Sequence, residues 1–440
     1  MNLFEPRTSY QFRAVNQFAS HTISPKKILF LTYRFPYPLS GGDRLKSYHL
    51  LRHLSSISDV DLIALDEWGS ATHENLQHIK KFASTVTVVP FSKNVAIKNV
   101  ALSLLSRTPA EMAWYYSAQM QEVVDLALAS KRYDLVVCFF VRTAEYVKNF
   151  TDAPKLLIAE DSRLLADERG SEKFSFSADY FVRKMDAIKL RKYEPQIASQ
   201  FDLVTFVAES DRARILQEDP TLRTNILTNG VDIDTYKFFE GQKANTILFA
   251  GHLGIYHNRL MAERILTRIF PMIRMHSPDT NLVIAGKDPS PALAKLVAET
   301  AGASLHGNVE ALIPYYQSAK LFIHPQEVGA GIQNKLLECM ALGTPVITTE
   351  IGASGVDGVI NHQHLIVCDT DVEFAEAAIS LLGDSPEQHR LARNARNLIE
   401  QRYTWDTIFA VLDELIGGII PDYFVKSSTE EKKRRTNDSY

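Results

Sequence analysis

The chain has 440 residues, of which 45% are apolar, with 48 Lys and Arg set against 52 Asp and Glu. That length supplies two or three domains with buried cores, and a net charge of −4 leaves no global basic field for nucleic acid. Three cysteines, Cys138, Cys339 and Cys368, sit in apolar contexts without metal-ligand spacing or an even count, which suits buried thiols in a reducing cytoplasm and predicts no disulfide framework.

Residues 1–25 carry Arg7, Arg13 and several Ser and Thr but no apolar stretch, so they read as a flexible lead-in rather than a secretory signal. Residues 26–54, KKILFLTYRFPYPLSGGDRLKSYHLLRHL, spell a buried strand, a proline-punctuated loop, the pair Gly41 and Gly42, and an amphipathic helix with Leu45, Tyr48, Leu51 and Leu54 on one stripe. Short β-rich runs then alternate with helical patterns, as in parallel sheets wrapped by helices. The runs of the first sheet are 27–33, 59–65, 85–91, 134–140 and 155–161, ending near 202–208. Within this half, 92–120 mixes Lys93, Lys98 and Arg107 with Val95, Val100, Leu104, Trp114 and Tyr115, and 183–194 is a second basic run. Such pieces suit peripheral contact with an anionic membrane, although each alone also fits an ordinary helix with a solvated face.

NGVDIDTYKF at 229–238, followed by the polar EGQKAN, marks a linker. A second set of strands is expected at 245–251, 281–287, 303–307, 320–325, 344–349 and 364–369. The expected organisation is a lead-in at 1–25, a first domain at 26–238, a second at 239–403, C-terminal helices at 404–425 and a charged, disordered tail at 426–440. After the first strand of the second domain comes a turn with Gly251, His252, Gly254 and Asn258, then a helix with Leu260, Ile265, Ile269 and Ile273 inward.

The densest pattern is GAGIQNKLLECMALGTPVI at 329–347. Gly329 and Gly331 allow close backbone approach, and the N–H groups of a helix opening near Gln333 and Asn334 favour an anion such as a diphosphate. Lys335 adds positive charge in the first turn, and Glu338 lies one turn on along the same face, within reach of a hydroxyl-bearing group. Gly343, Thr344 and Pro345 then stop the helix. On residues alone, a surface helix with a Lys335–Glu338 ion pair fits this segment as well. The late apolar stretch 408–425 is broken by Asp413, Glu414, two glycines and Pro421, short of the roughly 20 uninterrupted apolar residues of a membrane span.

The 329–347 segment resembles the motif of family 4 glycosyltransferases that ends in Glu-Ala-Met-Ala-x-Gly-x-Pro-Val. It is closest to the bacterial exopolysaccharide-cluster branch, where Gly-Ile-Gln-Asn-Lys-x-Leu-Glu recurs. Residues 26–54, including Arg34, Phe35, Pro36 and the Gly42–Asp43 pair, and the Asn-Gly-Val-Asp linker carry the same resemblance. It implies the α/β GT-B fold, two Rossmann-like doubly wound domains facing across a cleft with ligands at the carboxyl ends of the strands, and final helices near 405–417 returning to the first domain.

The implied activity is retaining transfer of a sugar from a nucleotide-diphosphate sugar to a hydroxyl of a glycan or lipid-linked glycan acceptor, in exopolysaccharide or cell-surface polysaccharide biosynthesis. The nucleotide sugar is the substrate, and no metal or other cofactor is implied. Gly331, Ile332, Gln333, Asn334 and Lys335 would serve the leaving diphosphate and Glu338 the ribose diol, with Lys335 and Glu338 the residues carrying catalysis. Gly41, Gly42 and Arg44 would meet a phosphate or sugar bridging the cleft. Gly251, His252 and Asn258 occupy a turn where many members carry Arg and Lys, and where this branch has Asn. Lys287 would border the nucleoside, and backbone near Val309 the base. His252 fits an ordinary turn histidine equally, and Lys287 a solvated loop lysine.

The chain departs from the pattern in two places. The first glutamate of the family's Glu-x7-Glu falls on Ala330, with Glu327 three positions earlier, and no histidine follows the strand ending at Phe140, where Arg142 and Glu145 stand. Asp232-x-Asp234 lies in the linker rather than in a loop suited to metal. Ala330 keeps open a non-catalytic GT-B scaffold or binding protein. A GT-B sugar-nucleotide epimerase is a further alternative, and it requires acid and base residues that the sequence does not single out.

Overall fold

The computed structural model describes residues 25–39, 41–173, 178–420 and 423; the rest of the lead-in, with Arg7 and Arg13, and the 426–440 tail lie outside them. Strands β1 (Lys27–Thr32), β2 (Asp59–Asp66), β3 (Thr85–Pro90), β4 (Leu135–Phe139), β5 (Lys155–Glu160), β6 (Leu203–Phe206) and β7 (Thr224–Ile226) form a seven-stranded sheet in the order β3-β2-β1-β4-β5-β6-β7. Strands β8 (Ala244–His252), β9 (Asn281–Lys287), β10 (Ala303–Gly307), β11 (Ala319–His324), β12 (Val346–Thr348) and β13 (Ile366–Val367) form a second sheet in the order β10-β9-β8-β11-β12-β13. The paired strands are parallel in both sheets.

The central strands read as continuous apolar runs because helices cover both of their faces; every residue of β4, LVVCF, is buried. In each sheet the strand order reverses at one place, between β1 and β4 and between β8 and β11. Loops leaving those strands therefore splay apart at their carboxyl ends and leave a crevice there. The loop after β1 leads to the Gly42–Ile57 helix, whose Tyr48, Leu51 and Leu54 are buried, while Leu45 is half-buried. The loop after β11 leads to the Asn334–Leu342 helix, which ends on left-handed Gly343 with the Thr344 N–H bonded to the Cys339 carbonyl at 2.9 Å.

Two features differ from the sequence reading. The first sheet continues past 202–208 into β7, three residues too short to show any periodicity. The helical stretch after β8 contains a π-helical segment at Ile265–Ile269; Ile265, Ile269 and Ile273 are buried, while Leu260, ahead of that segment, is only partly so. No helix among the described residues is long and apolar enough to cross a membrane.

The chain passes between the domains twice, at one place. On the way out, the Val231 N–H bonds to the Tyr403 carbonyl at 2.6 Å, and Val231 bridges Thr404 on the way back. The Trp405–Gly417 helix then packs Trp405, Ile408, Leu412 and Ile416 into the core of the first domain. Trp405 stacks on His49 at 4.1 Å and lies so close to Gly230 that a Cβ there would fall 2.4 Å from its ring. Because Leu412 is fully buried, Leu412→Ala should lower unfolding free energy by about 2–5 kcal/mol in a urea titration. A change well under 1 kcal/mol would mean that the returning helix is not part of the first domain's cooperative core.

Candidate active site

The site is assembled from loops at the carboxyl ends of both sheets. In the second domain, Lys335 Nζ donates to Asn258 Oδ1 at 2.6 Å, and Asn258 Nδ2 donates to the His252 carbonyl at 3.0 Å. Gly251 lies directly beneath: a Cβ on it would sit 3.3 Å from Lys335 Nζ. The ammonium also rests 5.6 Å from the Phe249 ring centre. Gly251, Asn258, Lys335 and the backbone of His252 thus form one cluster, although Lys335 and Asn258 are 77 positions apart.

Gln333 is the N-cap of the Asn334–Leu342 helix, and no side chain caps it. Its first N–H groups, with the positive end of the helix dipole, face the junction between the domains beside Lys335. Ile332 and Gln333 are half-buried at this entry. Burial lowers the Lys335 pKa to about 8, against the pull of Glu338 toward the charged form. One turn on, Glu338 faces the hydroxyls of Tyr236 and Tyr316; burial pushes its carboxyl up although both hydroxyls and Lys335 favour the anion.

His252 Nε2 lies 3.2 Å from Asp288 Oδ2, an exposed pair at the ends of β8 and β9. The Lys287 side chain is exposed, while its carbonyl accepts from the Leu253 N–H at 2.7 Å. Val309 is half-buried next to Asn308, whose Oδ1 accepts from the Asp288 N–H at 2.9 Å. His252, Lys287 and Val309 thus border one rim of the site.

The first domain closes over the glycine-rich turn by backbone contact. A Cβ on Gly42 would fall 2.9 Å from Asn334 Nδ2, so a larger residue there would displace the Asn334 side chain. Asn334 Oδ1 in turn accepts from Asn229 Nδ2 at 2.7 Å. Gly331, at φ 69°, donates its N–H to Asp211 Oδ2 at 3.1 Å, while Asp211 Oδ1 accepts from the Ser162 N–H at 2.8 Å. Arg169 Nη1 donates to the Gly329 carbonyl at 3.1 Å. Arg44 is buried toward the end of β2, with its Nη2 on Ser70 Oγ at 2.8 Å and its guanidinium 4.6 Å from the Trp68 ring.

Sequence reasoning missed the ionic lattice lining the first domain's strand ends. Arg34 pairs with Asp43 at 3.0 Å and Glu67 at 2.7 Å, Arg163 with Glu111 at 2.7 Å and Asp161 at 2.8 Å, and Arg142 with Glu111. Burial opposes ionisation of Glu111, yet Arg142 and Arg163 hold its carboxyl down at about 2. The available signal was position: Arg34, Glu67, Arg142 and Asp161 each lie within three residues of a strand end. Glu145, the other polar residue noted after Phe140, pairs instead with Lys148 at 2.7 Å. Glu327 lies 3.6 Å from Arg264, and Ala330 is half-buried in the turn. Asp232 accepts from the Asp234 and Thr235 N–H groups and so caps the linker turn. Among the described residues, no group of three or more His, Cys, Asp and Glu is placed to hold a metal ion.

Comparison with known proteins accords with this architecture. Residues 244–384 match the family model of glycosyl transferases group 1, so the second domain is a glycosyltransferase domain. A Klebsiella pneumoniae protein described as an uncharacterized 44.6 kDa protein in the cps region is 26% identical over 404 residues, 87% of this chain and 98% of its own. A lipopolysaccharide core biosynthesis mannosyltransferase of Rhizobium meliloti is 32% identical over 143 residues, 28% of this chain and 40% of the relative. Among solved structures, an Anabaena protein crystallised with UDP and glucose superposes with a TM-score of 0.61 at 15% identity, covering 89% of this chain and all of that one. The chain has the GT-B fold.

The clasp on Asp211 carries a pH signature. Burial, then the charge of Asp161, raises its pKa from 3.8 to about 7, so between those values the folded protein holds a proton that the unfolded chain releases. Its contribution to stability therefore falls as pH rises through that window. Asp211→Asn should make the decline of stability with pH shallower there, by up to about 1.4 kcal/mol per pH unit, in denaturation series at stepped pH. An unchanged slope would show that Asp211 does not titrate in this range.

Proposed function

We propose that this chain is a retaining glycosyltransferase of the family 4 type, moving a sugar from a nucleoside-diphosphate sugar to a hydroxyl of a glycan or lipid-linked glycan acceptor in cell-surface polysaccharide synthesis on the cytoplasmic side of the membrane. The observation that carries this reading is the uncapped start of the Asn334–Leu342 helix beside the half-buried Lys335, with Glu338 one turn further in. The cps-region origin of the Klebsiella relative and the UDP and glucose in the Anabaena structure support the polysaccharide setting and the donor class.

The difficult event is departure of the nucleoside diphosphate from the anomeric carbon, which leaves an oxocarbenium-like centre and new negative charge on the leaving oxygen. Backbone N–H groups from 332 to 334 and the Lys335 ammonium meet that charge, and a binding site closed between two domains makes the interaction stronger by excluding water. Glu338 holds the ribose diol. Its carboxyl faces the hydroxyls of Tyr236 and Tyr316, and a diol takes over as hydrogen-bond donor. Positive potential from the helix start and Lys335 occupies the place a metal would take, so transfer proceeds without one.

Ala330 supports a second reading, a non-catalytic scaffold that binds a nucleotide sugar in the same place. Release of nucleoside diphosphate in the presence of acceptor and EDTA, with the product's anomeric configuration read by NMR, separates the two. Retention of configuration is expected. Inversion contradicts the family 4 assignment, and absence of release across a broad donor screen with the true acceptor favours the scaffold.

Two variants test the roles within the site. Glu338→Gln should remain folded and weaken nucleoside diphosphate binding roughly tenfold, the loss expected for one charge-assisted hydrogen bond; unchanged affinity in calorimetry would remove Glu338 from the ribose. Lys335 is protonated below about 8, and a diphosphate favours the protonated form. Affinity for nucleoside diphosphate should therefore fall as pH rises through about 8, and Lys335→Met should bind weakly with that step absent. A step that survives in Lys335→Met would assign the titration to another group.

A further inference from the structure

The Lys93–Ser103 helix of the first domain is mostly apolar, yet it buries only Ala96 and Ser103. Val95, Ile97 and Leu102 are exposed, and the turn that follows presents Leu104 and Leu105, the latter 93% exposed. An amphipathic surface helix normally turns such a face inward. Here the neighbouring Ala178–Ala198 helix extends the surface rather than covering it. Lys189 Nζ donates to the Ser103 carbonyl at 2.7 Å and the Thr108 carbonyl at 3.3 Å, and Asp186 accepts from the Ala110 N–H, which sets the exposed Met185 and Ile188 beside the 103–110 turn. These seven exposed side chains come from two segments distant in sequence that meet at the 103–110 turn.

Among the described residues, the exposed charges on these two segments are basic. From Asn75 to Ala110 the chain has no Asp or Glu but carries Lys80, Lys81, Lys93, Lys98 and Arg107. On the second helix, Lys184 and Lys192 are exposed, whereas Asp186 is buried on the Ala110 N–H and Glu194 is buried on the Ser162 hydroxyl. Apolar side chains ringed by lysine and arginine, with nearby carboxylates turned inward, are complementary to an anionic bilayer: the apolar side chains enter the acyl boundary and the cations meet the headgroups.

We infer that this two-segment patch docks the protein on an anionic lipid surface. The patch runs directly into the Ala110–Tyr115 helix, whose Glu111 holds Arg142 and Arg163 at the strand ends lining the candidate active site. Docking there sets the opening of the site beside the bilayer, which suits a lipid-linked acceptor. The binding itself is independent of turnover and of the nucleotide-sugar reading, and it is measured without either.

Flotation of the full chain with phosphatidylcholine vesicles, with and without phosphatidylglycerol, reads the proposal. The expected result is binding to the phosphatidylglycerol vesicles that weakens with added salt, and much weaker binding to phosphatidylcholine alone. Leu102→Asp combined with Leu105→Asp should lower vesicle affinity by at least roughly tenfold. The triple variant Lys93→Ala, Lys98→Ala, Arg107→Ala should lower it on the order of a hundredfold at low salt. All these side chains are exposed, so the melting temperature should stay at the wild-type value, and Met275→Asp, at an exposed site in the second domain, should leave binding unchanged. Absence of wild-type binding to the anionic vesicles overturns the proposal, as does binding that both patch variants leave intact or that Met275→Asp weakens equally.

Discussion

Asp211 has no surface exposure, yet its two oxygens accept backbone N–H groups from opposite domains. A buried carboxyl needs a proton or hydrogen-bond donors to offset its desolvation, and the two N–H groups it accepts are supplied where the two domains meet in this geometry. That constraint fixes the glycine-rich turn against Asp161 and Val207, where Gly331 has a φ of 69° and a Cβ would fall 3.1 Å from Asp161 Cβ, so a larger residue is strained there. Once the turn is held, the start of the Asn334–Leu342 helix has a defined place, and Asn229 and Gly42 close around Asn334. The position of Lys335 and Glu338 is thus a consequence of contacts made by other residues.

The two ionisable groups on that helix share a physical bias. Burial favours neutral forms of both, lowering the lysine and raising the glutamate. A site in this state is under-solvated, with a cation held by a single amide oxygen and an anion facing phenols. Desolvation of both groups during folding is a free-energy cost that any ligand supplying a partner to each would offset. The ionic lattice of the first domain behaves differently: Arg34, Arg142 and Arg163 are each matched by carboxylates, which makes that wall rigid rather than strongly charged.

Much of the fold was legible because buried parallel strands are continuous apolar runs: NLVIAGK and ASLHG coincide with β9 and β10 to the residue. What escaped was short or irregular. β7 has three residues, and the π-helical segment after Arg264 leaves no mark on hydrophobic spacing. At the candidate site, the turn and helix at 329–343 announced themselves through glycine and charge at close spacing. Asp211 did not, because its significance lies in a partner 120 positions away and in burial that composition cannot show. Arg44 follows the Gly41–Gly42 pair in sequence, and its contacts to Trp68 and Ser70 are likewise invisible to sequence proximity. Tyr236 and Tyr316, the partners of Glu338, sit in the linker and in an unremarked helix.

The double crossing between the domains has a mechanical consequence. Two strands of chain joined by a hydrogen bond from Val231 to Tyr403, with Trp405 wedged against Gly230, share load like the paired leaves of a door hinge. Such a joint bends about one axis but resists twist and lateral slip, because either would shear one crossing past the other. Any bending of one domain against the other would therefore turn about this joint, which leaves the relative position of Gly331 and Asp211 set by a single axis. A protease that nicked one crossing would leave the domains tethered by the other while abolishing that directional control.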